Sequence, residues 1–289
     1  MTTYVMKIGT NAQNYAAATF SFGDNNQKNP KTFVRSLNSQ RVIQELPSSQ
    51  IHFYIDEEGI KPRIFNFSGS FFGADREIAL RNLQEVMMST GIKRFWLNSD
   101  YFYIGTGTFL KNSMVSKQTH FINYNGEFAL ISPFKYGATM QTDTFTSTSD
   151  GSWVNNTSGM TNTGNAPAHI HQITVTNVSD GNIKEVRIAD AANGGGNIVT
   201  WKGTLSVTKS LIIYLVYATS GAPGVIEKVY ALNNGSHDGS VRYHVSNNND
   251  FIRIEADTTN QDFSAYVDFE SGVGSGASIK LDWYNSYFD

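Results

Sequence analysis

The chain has 289 residues, enough for two ordinary domains, and its 40% hydrophobic content can build a core while 16% charged residues are too few for a disordered, solvated chain. Cysteine is absent, which excludes disulfide frameworks, cysteine-based zinc sites and thiol catalysis. The net charge of −3 is uneven: residues 1–140 hold 14 Lys/Arg against 10 Asp/Glu, and residues 141–289 hold 8 against 15. Neither half carries a basic block, so nucleic acid is not an expected partner.

The first half opens with strand-like segments at residues 15–22 and 32–37, separated by the turn cluster Asp24-Asn25-Asn26. Residues 51–55 and 62–72 read as two long strands around the turn at residues 56–59. In the second, Phe65, Phe67 and Phe71 share a face at period two, with Gly69 in register. A helix is expected over about residues 74–89. Asp75 and Glu77 lie at its start, Ala79, Leu80, Leu83, Val86 and Met87 form its apolar stripe, and Gly91 is its C-cap, with Lys93 and Arg94 just beyond. Strands at 95–97, 101–105 and 117–131 complete a β-rich domain that closes at Ser132-Pro133-Phe134, and a linker is expected near 136–142.

The second half shows no helical period. Strands are expected at 169–177, 183–189, 197–201, 210–217, 225–231, 241–245, 251–256, 263–269 and 278–284, with Gly/Asn turns between them. Phe263, Ala265, Val267 and Phe269 alternate strictly, as do Ile279, Leu281 and Trp283. That spacing indicates a β-sandwich of jelly-roll or Greek-key type. The longest apolar run, residues 211–218, is too short to cross a bilayer, and residues 1–10 lack the apolar core of a signal peptide. The protein is therefore expected to be made in a cytoplasm and released by a route such as lysis.

Little in the chain points to chemistry. His169 and His171 at i and i+2 of a strand could share a cation, but two imidazoles do not complete a tetrahedral site. Asp56-Glu57-Glu58 falls in a turn, where solvated charge is ordinary. The glycine runs 194–196 and 272–276 precede strands rather than a helix, so they read as turns and not as phosphate loops. Asp190, Glu227, Asp257 and Glu270 would be available to a glycan hydrolase, but no spacing marks a pair. No catalytic residue, metal or cofactor is expected. Trp201 and Trp283 read as core aromatics, whereas Trp153, Tyr217 and Tyr243 are candidate saccharide contacts.

Three stretches resemble the distal tail protein (Dit) family of long-tailed phages. Residues 64–83, Ile-Phe-Asn-Phe-Ser-Gly-Ser-Phe-Phe-Gly-Ala-Asp-Arg-Glu and onward to Leu83, resemble the family's strand, small-residue step and acidic-start helix. Residues 128–134, ending in Ser-Pro-Phe, resemble the close of the same domain. Asn162-Thr163-Gly164-Asn165-Ala166-Pro167 resembles the opening of the family's galectin-like domain. His169 and His171 occupy the strand start that follows, which leaves a ligand role there open.

The resemblance implies a mainly β fold: a β-sandwich-like, ring-forming domain with one helix and a long hairpin over residues 1–138, then a galectin-like jelly-roll sandwich over 139–289. It implies a non-enzymatic virion protein at the distal end of the tail, assembled in the host cytoplasm. It also implies a six-fold ring contacting the tail tube protein and tail-tip or receptor-binding proteins. Phe53, Ile55, Ile64, Phe65 and Phe67 of the 51–72 hairpin are the expected ring contacts. The alternative is a carbohydrate-binding module that recognises host-surface glycans, with or without a ring.

Overall fold

The chain is mainly β, in a computed structural model that describes residues 6–10, 14–22, 32–36, 64–89, 91–108, 117–118, 121–130, 134–215, 230–238, 241–244, 252–270 and 276–288. It divides into two units, Met1–Ala138 and Thr139–Ser220 with Glu227–Phe288. No helix among the described residues is long and apolar enough to cross a membrane.

In the first unit, antiparallel strands run in the order Phe20–Ser21, Lys7–Thr10, Lys93–Trp96, Tyr101–Thr108, Phe121–Leu130, Ile64–Phe72 and Thr32–Ser36. Phe65, Phe67 and Phe71 are each 1% exposed, so the period-two face of that strand is the core face. Two glycines accommodate its rings. Gly69 pairs with Tyr124 and Gly126 with Phe67 across the same ladder. A Cβ on either glycine would collide with the partner's ring. The rings therefore lie across their glycine neighbours, and Phe71 stacks on Tyr124 at 4.5 Å while Phe65 meets Tyr103 edge-on at 4.6 Å.

Gly73, at φ +85°, turns this strand into the helix Arg76–Met88, the one α-helix among the described residues. Ala79, Leu80, Leu83 and Met87 are buried, and Met87 packs on Gly107, where a side chain would not fit. Glu77 sits in the first turn, while the Asp75 side chain makes no capping bond. Ser89, not Gly91, is the C-cap. The end is closed by Lys93, 3% exposed, whose Nζ donates to the carbonyls of Ser89 and Gly91.

Among the described residues the ladder between Thr32–Ser36 and Ile64–Phe72 runs from Thr32↔Ser68 to Ser36↔Ile64. The expected strand 51–55, with Phe53 and Ile55, lies outside the described residues. Among the described residues the partners of Ile64–Phe72 are Thr32–Ser36 and Phe121–Leu130.

The second unit holds two facing sheets. One runs Ser152–Asn155, Ser264–Phe269, Ile183–Ala189, Ile198–Leu205, Val241–His244. The other runs Ser236–Asp238, Tyr230–Asn233, Ser210–Tyr214, Ala168–Asn177, Ala277–Tyr287, Lys135–Ser147. Val186, Ile188, Val199 and Val267 of the first share one fully buried core with Ile173, Val175, Ile213 and Leu281 of the second. This is a β-sandwich, closed by alternating inward residues. Trp201 Nε1 donates to Asp238 Oδ2 at 3.0 Å and ties an edge of one sheet to the other.

Some expected boundaries move. The linker expected at 136–142 lies inside the strand Lys135–Ser147. Its threonines gave it the polar composition of a linker, yet β-branched Thr fits an extended, partly exposed strand. The strand expected at 15–22 reduces to Phe20–Ser21, because Asn14 Oδ1 accepts the Ala17 N–H at 2.9 Å and holds a turn before it. The short strands Ser152–Asn155, Met160–Asn162, Ser236–Asp238 and Thr258–Gln261 were not anticipated.

Candidate ligand-binding cleft

The expected ring contacts separate by burial. Ile64 is 38% exposed, whereas Phe65 and Phe67 are committed to the unit's own core. Among the candidate saccharide aromatics, Tyr217 lies outside the described residues. Tyr243 sits on Val241–His244 opposite Val199. Trp153 is half-buried: its ring covers Gly194 and lies 5.8 Å from Tyr266, so it braces the loop at residues 190–197. Tyr266 in turn carries the Arg187 guanidinium at 4.7 Å, and Arg187 bonds Glu185 at 2.7 Å.

The two histidines are both buried, His169 at 5% and His171 at 8% exposure. The strand changes partners here. Ala168 and His169 pair with Ile254 and Arg253, Ile170 pairs with Trp283, and the register shifts before Gln172. Simple two-residue alternation therefore does not govern this point. Burial, with the nearby Arg253 charge, pushes the His169 imidazole down to about 3. His171 meets Tyr284 edge-on at 5.1 Å. Among the described residues, no group of three or more His, Cys, Asp or Glu side chains could hold a metal ion.

Arg253 leads to a concave feature with convergent polar groups, a cleft of about 520 Å³ within the second unit. One wall is the loop from Asp190 to Asn197, and the other is formed by Arg253, Glu255, Thr258, Gln261 and Asp262. Asp190 joins them. Its carboxylate accepts the Asn197 N–H at 2.7 Å, Asn197 Nδ2 at 3.0 Å and the Arg253 N–H at 3.2 Å. Gln261 Nε2 donates to the carbonyls of Asp190 at 3.0 Å and Arg253 at 2.7 Å, and its Oε1 accepts the Glu255 N–H at 2.7 Å. Behind the loop, Ser264 Oγ donates to Ala191 O at 2.6 Å and accepts Gly194 N–H at 2.9 Å.

Burial raises the Asp190 carboxyl above the usual range, against the opposing pull of the Asn197 and Arg253 hydrogen bonds and the Arg253 charge. Across the cleft, Arg253 Nε binds Glu255 Oε1 at 2.9 Å. The arrangement offers carboxylates, amides, a hydroxyl and a guanidinium on fixed backbone, which suits recognition of a polar ligand by hydrogen bonds. Of the other carboxylates considered for a hydrolase, Glu270 accepts Asn182 Nδ2 at 3.0 Å and Asp257 occupies a turn at φ +50°. Glu227 lies outside the described residues.

In the sequence Asp190 is legible only as a carboxylate and Gly194-Gly195-Gly196 only as a turn, and no spacing joins them to Arg253, Glu255 and Gln261. The signal available is an Asp followed by Asn193-Gly194-Gly195-Gly196-Asn197, a run suited to the positive φ that Asn193, Gly194 and Gly196 take.

No family model and no curated protein matches the chain. Two solved structures are similar to it over nearly the whole length of both chains. One is the Dit protein of phage SPP1, described as a paradigm of the hub adsorption apparatus in phages that infect Gram-positive bacteria. It has a TM-score of 0.45 and 12% identity, covering 96% of this chain and 98% of that chain. The other is the baseplate of phage P2 in its activated conformation with Ca, with a TM-score of 0.44 and 11% identity, covering 96% of this chain and 97% of that chain.

Proposed function

We propose that the chain is a structural protein of the tail tip of a long-tailed phage. In this reading six copies close into a ring through the first unit and join the tail tube to the host-adsorption apparatus. The second unit is then available to tail-tip or receptor-binding proteins. The order of parts carries the reading: the Phe-rich strand, the Gly73 step and the acidic-start helix in the first unit, then an all-β sandwich in the second. It is a scaffold's architecture, in which the first unit's most distinctive residues build packing rather than a reaction centre.

A ring needs one head-to-tail contact repeated until it closes. Exposed apolar residues on the first unit supply surface for it: Ile64 at 38%, Ile78 at 54% and Met88 at 73%. The hairpin expected over residues 51–72, with Phe53 and Ile55, is the element that would pair with a neighbouring copy. Phe65 and Phe67 would shape that contact from within.

Light scattering across a concentration series tests the reading. The expected result is a mass near six times 32.0 kDa, or a reversible climb toward it. Ile78→Asp combined with Met88→Asp should lower that mass while the far-ultraviolet spectrum stays unchanged. A monomer at every concentration, with and without purified tail tube protein, would overturn it.

A further inference from the structure

We propose that the cleft between residues 190–197 and 253–262 binds a saccharide unit that is neutral or carries an amino group. This goes beyond the tail-tip reading and stands whether or not copies assemble. The volume, about 520 Å³, lies within the usual range of small-ligand sites. Both walls are fixed before any ligand arrives, because Asp190 and Gln261 bind backbone on both sides. Little ordering is left to oppose binding.

The groups that knit the walls are largely occupied by backbone, so recognition falls to others on the lining. Glu255 uses Oε1 for Arg253, and Thr258 and Asp262 complete that side. A carboxylate can accept two neighbouring hydroxyls, and a sugar presents hydroxyls as adjacent pairs. Ala191 and Ala192 add a small apolar patch to the opposite wall, suited to a C–H face. Charge narrows the choice. Among the described lining residues Asp190, Glu255 and Asp262 outnumber Arg253, so a sialylated, sulfated or phosphorylated unit is disfavoured. Among the described lining residues there is no aromatic ring, so affinity from them rests on hydrogen bonds and is expected to be weak.

The test is an NMR titration of the full chain with galactose, glucose, N-acetylglucosamine and glucosamine, with N-acetylneuraminic acid as the anionic control. Saturable shifts with at least one neutral or amino sugar are expected, and none with the acid. Glu255→Gln with Asp262→Asn should weaken binding by roughly tenfold or more with unchanged thermal melting, and Ala192→Trp should block it. If the tryptophan variant does not fold, the carboxylate variants decide. The proposal fails if no sugar in the panel binds, if the acid binds equally well, or if binding survives the cleft variants and is lost only with Trp153→Ala.

Discussion

His169 illustrates what burial does to a side chain that strand position alone would offer as a ligand. Its pKa falls from 6.5 to about 3, so the folded state holds the imidazole neutral where the unfolded chain would protonate it. For a base with a depressed folded pKa, the stabilisation is complete above the unfolded value. It is lost as pH falls from about 6.5 toward 3, and the loss is on the order of a few kcal/mol. Asp190 works in the opposite sense: its raised carboxyl costs stability at neutral pH, and acid relieves that cost. The second unit should therefore lose thermal stability over that acid window, and His169→Gln should flatten the dependence because glutamine does not titrate. Melting curves of both proteins between neutral pH and pH 3 check this, and identical slopes would refute it.

Among the elements, the strand Ile64–Phe72 shows most plainly what the sequence makes legible. Phe65, Phe67 and Phe71 at period two, then Ala79, Leu80 and Leu83 at helical spacing, announce one face each, and those faces are buried. The same holds for Phe263, Ala265, Val267 and Phe269. Ser236–Asp238 pairs with Tyr230–Asn233 across the Asn234-Gly235 turn, a hairpin signal the sequence does carry. Ser152–Asn155, by contrast, was illegible because a short polar edge becomes a strand only through a partner distant in sequence, Ser264–Phe269. The cleft was hidden for a similar reason. Asp190 and Arg253 are far apart in the chain and meet only when Ala168–Asn177 exchanges partners at His169. A test at this scale is Gly126→Ala. The added Cβ would strike the Phe67 ring, which cannot yield inside its aromatic cluster, so a loss of about 1–3 kcal/mol is expected in denaturant unfolding.

At the scale of the whole molecule, two separate cores organise the chain. One gathers Ile8, Phe22, Phe67, Leu83 and Phe128, and the other gathers Met160, Ile173, Trp201, Val267 and Leu281. Each draws on its own unit, so residues 139–289 expressed alone are expected to fold cooperatively. Near-ultraviolet circular dichroism on heating gives the answer, and a fragment without a cooperative transition would contradict it.

The glycine rungs of the first unit have a consequence for how such a sheet diversifies. Gly69 and Gly126 lie under the rings of Tyr124 and Phe67. A lineage can refill either glycine with a side chain only after the ring opposite has shrunk, so the order of two substitutions, and not only their sum, decides which sequences are reachable.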